Sequence, residues 1–284
     1  MTGARKLLEP LEDDVVRLLA ELVRTDTTAA PPGGKETAGQ QVLRDFLAAH
    51  GVPAELYAVD FVRDSGHPCA RLDRNYAGRM NLAARLPGTG RGRSLLLNGH
   101  MDTVPEGSGK WAESPWSGAI RGGRLYGRGS FDMKGGLAAS FAVACALARA
   151  GIRTGGDLIC EAVVDEEYGG GGGTLAARLR GDCADACCIS EGTQLEIALA
   201  TRGGHTVDLV CSAGDPAHFF SAEEVVSPAV PIGRLLGWID GWAARRRGIE
   251  RGRAYAAFGD PAPVQRSEER RGGKKSIYGW LPYY

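Results

Sequence analysis

An apolar run that ends in a histidine and an aspartate is the strongest structural signal in this chain. It spans residues 95–105 and reads Leu-Leu-Leu-Asn-Gly-His-Met-Asp-Thr-Val-Pro. The three leucines predict a short buried strand, and we expect Asn98 and Gly99 to open the backbone after it. His100 and Asp102 follow two residues apart, so at strand spacing their side chains point to the same face.

A histidine placed beside a carboxylate in this way is a candidate metal ligand. A metal-bound imidazole usually donates its other N–H to a carboxylate, which fixes the tautomer and the direction of the ring. His100 would then be the ligand and Asp102 its orienting group. The alternative is a surface histidine near an aspartate, and a single His-x-Asp favours that alternative. Support must therefore come from the rest of the chain.

Charge and composition narrow the class of protein. The chain has 284 residues, 43% of them hydrophobic, with 34 Lys+Arg against 34 Asp+Glu and a net charge of zero. We expect one large or two smaller domains, and no nucleic-acid or membrane partner. The N-terminus has scattered charges rather than a signal peptide, and we expect a cytoplasmic protein. Among the seven cysteines, Cys145, Cys160 and Cys211 lie in apolar runs and are predicted to be buried thiols.

Hydrophobic periodicity predicts an α/β chain in which helices and strands alternate. Helices are expected over residues 11–24, 36–50, 137–150 and 174–180. Strands are expected over residues 52–62, 80–86, 94–97, 157–164, 184–189 and 195–200. A further apolar stripe at helical spacing, from Ile232 to Ala243, predicts a helix near the end of the chain.

Acidic residues follow several of these predicted elements. Asp165, Glu166 and Glu167 follow the strand at 157–164, and Glu191 follows the strand at 184–189. Asp132 lies in the turn before the helix at 137–150. Such carboxylates repel one another unless cations compensate them. Together with His100 they form the donor set that zinc or another divalent metal requires, and their number suggests two metals with one bridging carboxylate.

Two other interpretations of these segments stay open at this point. The three acidic residues at 165–167 are also compatible with a solvated acidic turn. The fragment Gly-Arg-Gly at 127–129 weakly resembles a nucleotide-binding loop, although it lacks a third glycine at the required spacing and a preceding buried strand.

Four segments, in this order and spacing, closely resemble the M20 family of metallopeptidases and amidohydrolases. They are Asn-Gly-His-Met-Asp-Thr-Val-Pro (98–105), Gly-Arg-Gly-Ser-Phe-Asp-Met-Lys-Gly-Gly (127–136), Asp-Glu-Glu (165–167) and Glu-Gly-Thr (191–193). The resemblance covers residues 11 to about 264. It implies an α/β catalytic domain with a mixed sheet flanked by helices, and an inserted smaller α+β lid that also dimerises.

The resemblance also implies roles for individual residues. The metal ligands would be His100 and Glu191 on the first ion, Asp132 bridging both ions, and Glu167 on the second. Asp102 would orient the His100 ring, and Glu166 would be the general base. The family often has a cis peptide after the bridging aspartate, here between Asp132 and Met133. His218 matches a lid histidine that stabilises the tetrahedral intermediate, although Phe219 and Phe220 replace the small polar residues usual there.

The implied activity is zinc-dependent hydrolysis of an amide bond in an N-acyl amino acid or a small peptide. The resemblance implies two zinc ions, with cobalt or manganese as substitutes, and a homodimer for the full-length family. The partner is then a small-molecule acyl-amino-acid or peptide substrate.

The C-terminal part of the chain departs from this pattern. We expect a metal-binding catalytic domain at 1–199, a partial lid at 200–265, and a non-native or disordered tail at 266–284, where periodicity is lost. The family's last metal ligand is a histidine near the C-terminus, and this sequence has none after His218. The alternative function is therefore a truncated, non-catalytic family fragment with weakened metal binding.

Overall fold

The computed structural model describes residues 3–198 and 229–247 of the chain. The helices are α1 (Gly3–Leu8), α2 (Glu12–Arg24), α3 (Glu36–Ala49), α4 (Lys134–Arg149), α5 (Gly173–Arg180) and α6 (Ala229–Arg247). The strands are β1 (Ala29–Ala30), β2 (Gly33–Gly34), β3 (Ala54–Ala58), β4 (Met80–Leu86), β5 (Leu95–His100), β6 (Ala119–Arg121), β7 (Arg124–Tyr126), β8 (Leu158–Val163) and β9 (Ala186–Ile189). Short 3₁₀ turns cover Glu9–Leu11, Asp60–Asp64 and Glu166–Tyr168.

The chain divides into two compact units, Met1–Ile197 and Ala198–Tyr284. The first unit contains all of the β-strands listed above. Of the second unit the structure describes α6, which covers the predicted helical stripe from Ile232 to Ala243. His218, Cys211 and the predicted C-terminal tail lie outside the described residues. The predicted domain limits at 199 and 265 stay predictions.

A five-stranded mixed sheet forms the centre of the first unit, in the order β3-β4-β8-β5-β9. The strands β3, β4 and β8 pair antiparallel, whereas β5 runs parallel to both β8 and β9. The predicted α/β fold with a mixed sheet flanked by helices is therefore confirmed. In the parallel part His100 lies opposite Val163, so β5 and β8 deliver the residues that follow them to one edge of the sheet.

Helices cover both faces of the sheet. Strand side chains alternate between the two faces, so each face presents apolar side chains that the helices bury. Leu82, Leu97 and Cys160 face one side, where they pack in the main core with residues of α2, α3 and α4. The opposite side carries a smaller core that includes Tyr57, Val164 and Ala176 of α5. Burying both faces explains why the strands are rich in apolar residues. Within the described ranges, no helix is both long enough and apolar enough to cross a membrane.

Several element limits differ from the predictions. The predicted strand at 94–97 continues through Asn98 and Gly99 to His100. The predicted strand at 52–62 ends at Ala58, and the chain then turns into a 3₁₀ segment. Helix α4 begins at Lys134, three residues before the predicted start. The start of the predicted strand at 195–200, where described, is not a strand.

Candidate metal centre

His100 is the central residue of the site, at the last position of β5 and 1% exposed. Its Nδ1 lies 2.8 Å from the backbone carbonyl oxygen of Asp102. A carbonyl oxygen only accepts hydrogen bonds, so Nδ1 carries a proton, and Nε2 is the ring nitrogen that faces the site. Nε2 points at carboxylates from three other segments: it lies 3.0 Å from Asp132 Oδ1, 3.6 Å from Glu191 Oε1 and 3.8 Å from Glu166 Oε2.

The three residues His100, Asp132 and Glu191 form the tightest donor group. Their ligand atoms all lie within 4.8 Å of one another, and this is the one group of three or more metal-binding side chains found within the described residues. An imidazole nitrogen with two carboxylate oxygens suits zinc and related divalent ions. The donor chemistry therefore fits one ion with three protein ligands. Glu167 lies beside this group rather than within it.

The site concentrates negative charge. Burial would lower the pKa of His100, but hydrogen bonds with Asp102 and Asp132 outweigh it and raise the pKa to about 11. Burial, reinforced by the charge of neighbouring carboxylates, raises the pKa values of Glu167 and Glu191 to about 7. Partial burial also raises the pKa of Glu166. A bound cation would relieve this mutual repulsion.

Local packing explains how two of the donors reach the site. Gly99 faces α4 so closely that a Cβ there would lie 2.8 Å from Leu137 Cδ1. Gly136 allows the first turn of α4 to contact the carbonyl of Ser190, whose hydroxyl lies 2.6 Å from that of Ser140. Helix α4 thus fixes both the strand that ends at His100 and the segment that leads to Glu191.

Asp132 lies in the turn before α4, and the peptide bond between Asp132 and Met133 is cis, as the resemblance implied. Lys134, two residues further on, is fully buried. Its Nζ donates to the carbonyl oxygens of Leu22, at 2.7 Å, and Thr25, at 3.1 Å. These carbonyls belong to the end of α2, where helical partners are lacking. The turn that carries Asp132 is therefore attached to α2.

Asp102 has a second set of contacts that the sequence did not reveal. Its fully buried carboxylate accepts the backbone N–H of Glu166 at Oδ1 and of Glu167 at Oδ2, both at 3.1 Å. Its Oδ1 also lies 3.5 Å from His100 Nδ1. One side chain thus connects the candidate ligand His100 with the turn that carries the two glutamates. Of the predicted site residues that the structure describes, His100, Asp132 and Glu191 form the donor group, and Glu166 Oε2 lies 3.8 Å from His100 Nε2. Glu167 contacts Asp102 through its backbone N–H.

A second group, which the sequence analysis did not identify, lies in the segment 71–79 before β4. Arg74 and Arg79 are nearly fully buried, and both guanidinium groups donate to the carboxylate of Asp165. The hydroxyl of Tyr76 donates to the other oxygen of Asp165 at 2.9 Å. No sequence pattern indicates these contacts, because a buried arginine in a polar segment has no distinctive signature.

The model of peptidase family M20/M25/M40 matches residues 96–260. A succinyl-diaminopimelate desuccinylase of Methylobacterium radiotolerans is 36% identical over 169 residues, 55% of this chain and 43% of that protein. An N-formyl-4-amino-5-aminomethyl-2-methylpyrimidine deformylase of Halalkalibacterium halodurans is 32% identical over 189 residues, 66% of this chain and 40% of that protein.

The chain spans about half of the length of the curated relatives that it matches. Among solved structures, human carnosine dipeptidase 1 aligns with a TM-score of 0.48 and 20% identity, over 67% of this chain and 41% of that one. The family model covers more than half of the sequence and includes all the donors of the tightest group. This chain belongs to peptidase family M20/M25/M40.

Proposed function

We propose that this chain is the metal-binding part of a hydrolase that cleaves the amide bond of an N-acyl amino acid or a small peptide. The observation that carries the proposal is the convergence of His100 Nε2 with the carboxylates of Asp132 and Glu191, whose ligand atoms lie within 4.8 Å of one another. Family membership supports it, since the relatives named above include a desuccinylase and a deformylase.

We assign the first ion to His100, Asp132 and Glu191. The second ion would share Asp132 and add Glu167, two donors from the described part of the chain. Zinc is the proposed metal, with cobalt or manganese as substitutes. When bound, the ions would lower the pKa of a water molecule toward neutrality and polarise the amide carbonyl.

Glu166 is the proposed general base. Its Oε2 lies 3.8 Å from His100 Nε2, so its carboxylate reaches the space around the proposed metal ligands. It would take a proton from the attacking water and deliver it to the leaving amine. Its raised pKa, caused by partial burial, brings it closer to the range that suits both steps. Asp102 would hold His100 in the tautomer with Nε2 free, and His218 is proposed to stabilise the intermediate.

The test combines metal content with turnover of a small panel. The chain is loaded with zinc, dialysed, and analysed for bound metal. It is then assayed with N-succinyl-diaminopimelate, an N-acetyl amino acid and a dipeptide. Glu166→Ala should abolish turnover and keep the zinc, whereas Glu191→Gln should lower the zinc content. Glu55→Ala, at an exposed glutamate that pairs with Arg180, is the matched control and should behave like the wild type.

The wild-type chain itself decides between the hydrolase and the non-catalytic fragment. A wild-type chain with neither bound zinc nor turnover would contradict the proposal and favour the non-catalytic fragment. Turnover that persists in Glu166→Ala would refute the assignment of the base alone. The homodimer implied for the full-length family and the cytoplasmic location are separate expectations, tested by light scattering and by fractionation of cells that express the protein.

A further inference from the structure

Asp165, directly before the two site glutamates, adopts a backbone conformation that the surrounding residues must hold. Its φ is 65° and its ψ is 26°, in the left-handed region. Residues other than glycine occupy this region only where contacts fix them, although aspartate and asparagine tolerate it best. At this position the chain leaves β8 and enters the 3₁₀ turn that carries Glu166 and Glu167.

Four side chains from the segment 71–79 contact this turn, and we call them the clasp: Arg71, Arg74, Tyr76 and Arg79. At the start of the turn, the Asp165 carboxylate receives hydrogen bonds from Arg74 Nε at 2.9 Å, Tyr76 OH at 2.9 Å and Arg79 Nη2 at 3.1 Å. At its end, Arg71 Nη1 donates to the Tyr168 carbonyl at 2.7 Å. The Arg74 guanidinium lies 4.5 Å from the centre of the Tyr168 ring.

The clasp is itself anchored. Arg79 donates through Nε, at 3.0 Å, and through Nη2 to the carboxylate of Glu36, the first residue of α3. Arg74, Arg79, Asp165 and Glu36 are all at most 2% exposed, so two buried cations balance two buried anions. Charge-assisted hydrogen bonds in such surroundings are strong and directional. The turn is therefore held at its start by this buried network and at its end by Arg71.

We propose that the clasp positions the catalytic turn: it fixes Asp165, and thereby directs Glu166 and Glu167 toward His100. Asp102 holds the same turn from the opposite side through the amides of Glu166 and Glu167. None of the clasp hydrogen bonds described above reaches His100 or Asp132; those that approach the site end on Asp165 and Tyr168 of the turn. The inference rests on the proposed function for its catalytic consequence, while its structural part stands independently.

The first test measures amide hydrogen exchange by NMR in the metal-free chain. Tyr76→Phe removes one hydrogen bond to Asp165 and keeps the ring, and Arg74→Lys keeps the charge and loses the paired donors. Each should accelerate exchange of the Glu166 and Glu167 amides at least tenfold. The control is Arg178→Lys, which alters a different arginine–carboxylate pair, with Glu161 of β8. It should leave these two amides unchanged.

A role limited to overall stability would give a different pattern, with faster exchange along the whole of β8, for example at Ile159. That result, or unchanged exchange at Glu166 and Glu167, or an equal increase in the control, would overturn the proposal. Because this measurement needs no metal and no substrate, it decides the positioning role even if the proposed function fails.

The second test applies once turnover is established in the wild type. Tyr76→Phe and Arg74→Lys should lower kcat at least tenfold and change KM less than twofold, because a misplaced base affects the reaction step more than substrate binding. Arg178→Lys should stay within twofold of the wild type in both. Equal kcat values in the clasp variants and the control would refute the catalytic consequence.

Discussion

Replacing Asp102 with asparagine removes one acceptor from the position that connects His100 with the turn at 166–168. The wild-type carboxylate accepts two backbone N–H groups, one at each oxygen. Asparagine keeps one oxygen and presents an NH₂ group to the other amide. One hydrogen bond then changes from charged to neutral, which lowers the free energy of unfolding by about 1 kcal/mol. One buried N–H is left unpaired, which lowers it by about a further 1–3 kcal/mol. The expected loss in the free energy of unfolding is about 2–4 kcal/mol.

The assay is thermal and urea unfolding of the metal-free chain, followed by circular dichroism. For a unit of this size the loss corresponds to a fall in Tm of about 4–16 °C. Asp185→Asn is the control, because Asp185 is exposed and accepts both the N–H and the hydroxyl of Ser94 at a single oxygen. An asparagine oxygen replaces that acceptor, so about 0.5 kcal/mol is expected. Equal losses in the two variants would show that the buried Asp102 carboxylate contributes no more to stability than an exposed one.

Three further outcomes follow from the packing and the site. Gly99→Ala should cost about 1–3 kcal/mol by overpacking against α4, whereas Gly109→Ala, where a Cβ meets nothing within 4 Å, should be near neutral in the same unfolding assay. Zinc at 100 times its Kd should stabilise the chain by about 2.7 kcal/mol; EDTA should reverse the shift, and Glu191→Gln should reduce it. Burial raises the pKa of Cys145 and of Cys160 to about 12, so at pH 8 about one thiol in 10⁴ is ionised. Iodoacetamide should therefore label the exposed cysteines and spare these two, as measured by peptide mass spectrometry; rapid labelling of either would contradict their burial.

The regular elements could be predicted where burial alternates along the chain. The strand Met80–Leu86 has the predicted limits, because its side chains face two different cores. The strand that ends at His100 is longer than predicted, since Asn98 hydrogen-bonds the buried Glu161 and Gly99 is required under α4. A polar residue or a glycine normally marks the end of a strand. Here Asn98 and Gly99 lie within the strand, where one makes a buried hydrogen bond and the other allows close packing.

After Ala58 the predicted strand at 52–62 was too long, because the apolar residues there are buried without being in a strand. Val59 and Val62 are fully buried in the smaller core, yet they lie at and within a 3₁₀ segment. Their hydrophobicity reflects the core under α5 and carries no information about strand pairing. A run this short can be buried in either conformation, so periodicity alone does not distinguish the two.

The site was predictable to the extent that its residues lie in short, recognisable motifs. His100, Asp132, Glu166 and Glu191 each occur in such a segment, and the structure brings them to one sheet edge. The clasp was not predictable, because Arg74 is 91 residues from its partner Asp165. Pairing at such a distance depends on the tertiary fold, and a single sequence contains no record of it.

The attachment of Lys134 to the end of α2 shows that the segment supporting the candidate metal centre begins earlier in the chain than the match to the family model. The family model begins its match at residue 96, yet the carbonyls of Leu22 and Thr25 that receive the Lys134 amine belong to an earlier part of the chain. A protein fragment cut at the start of the match would expose a buried lysine without acceptors, beside the turn that carries Asp132. The smallest piece that keeps the candidate metal centre intact is therefore defined by these long-range contacts, and it includes α2.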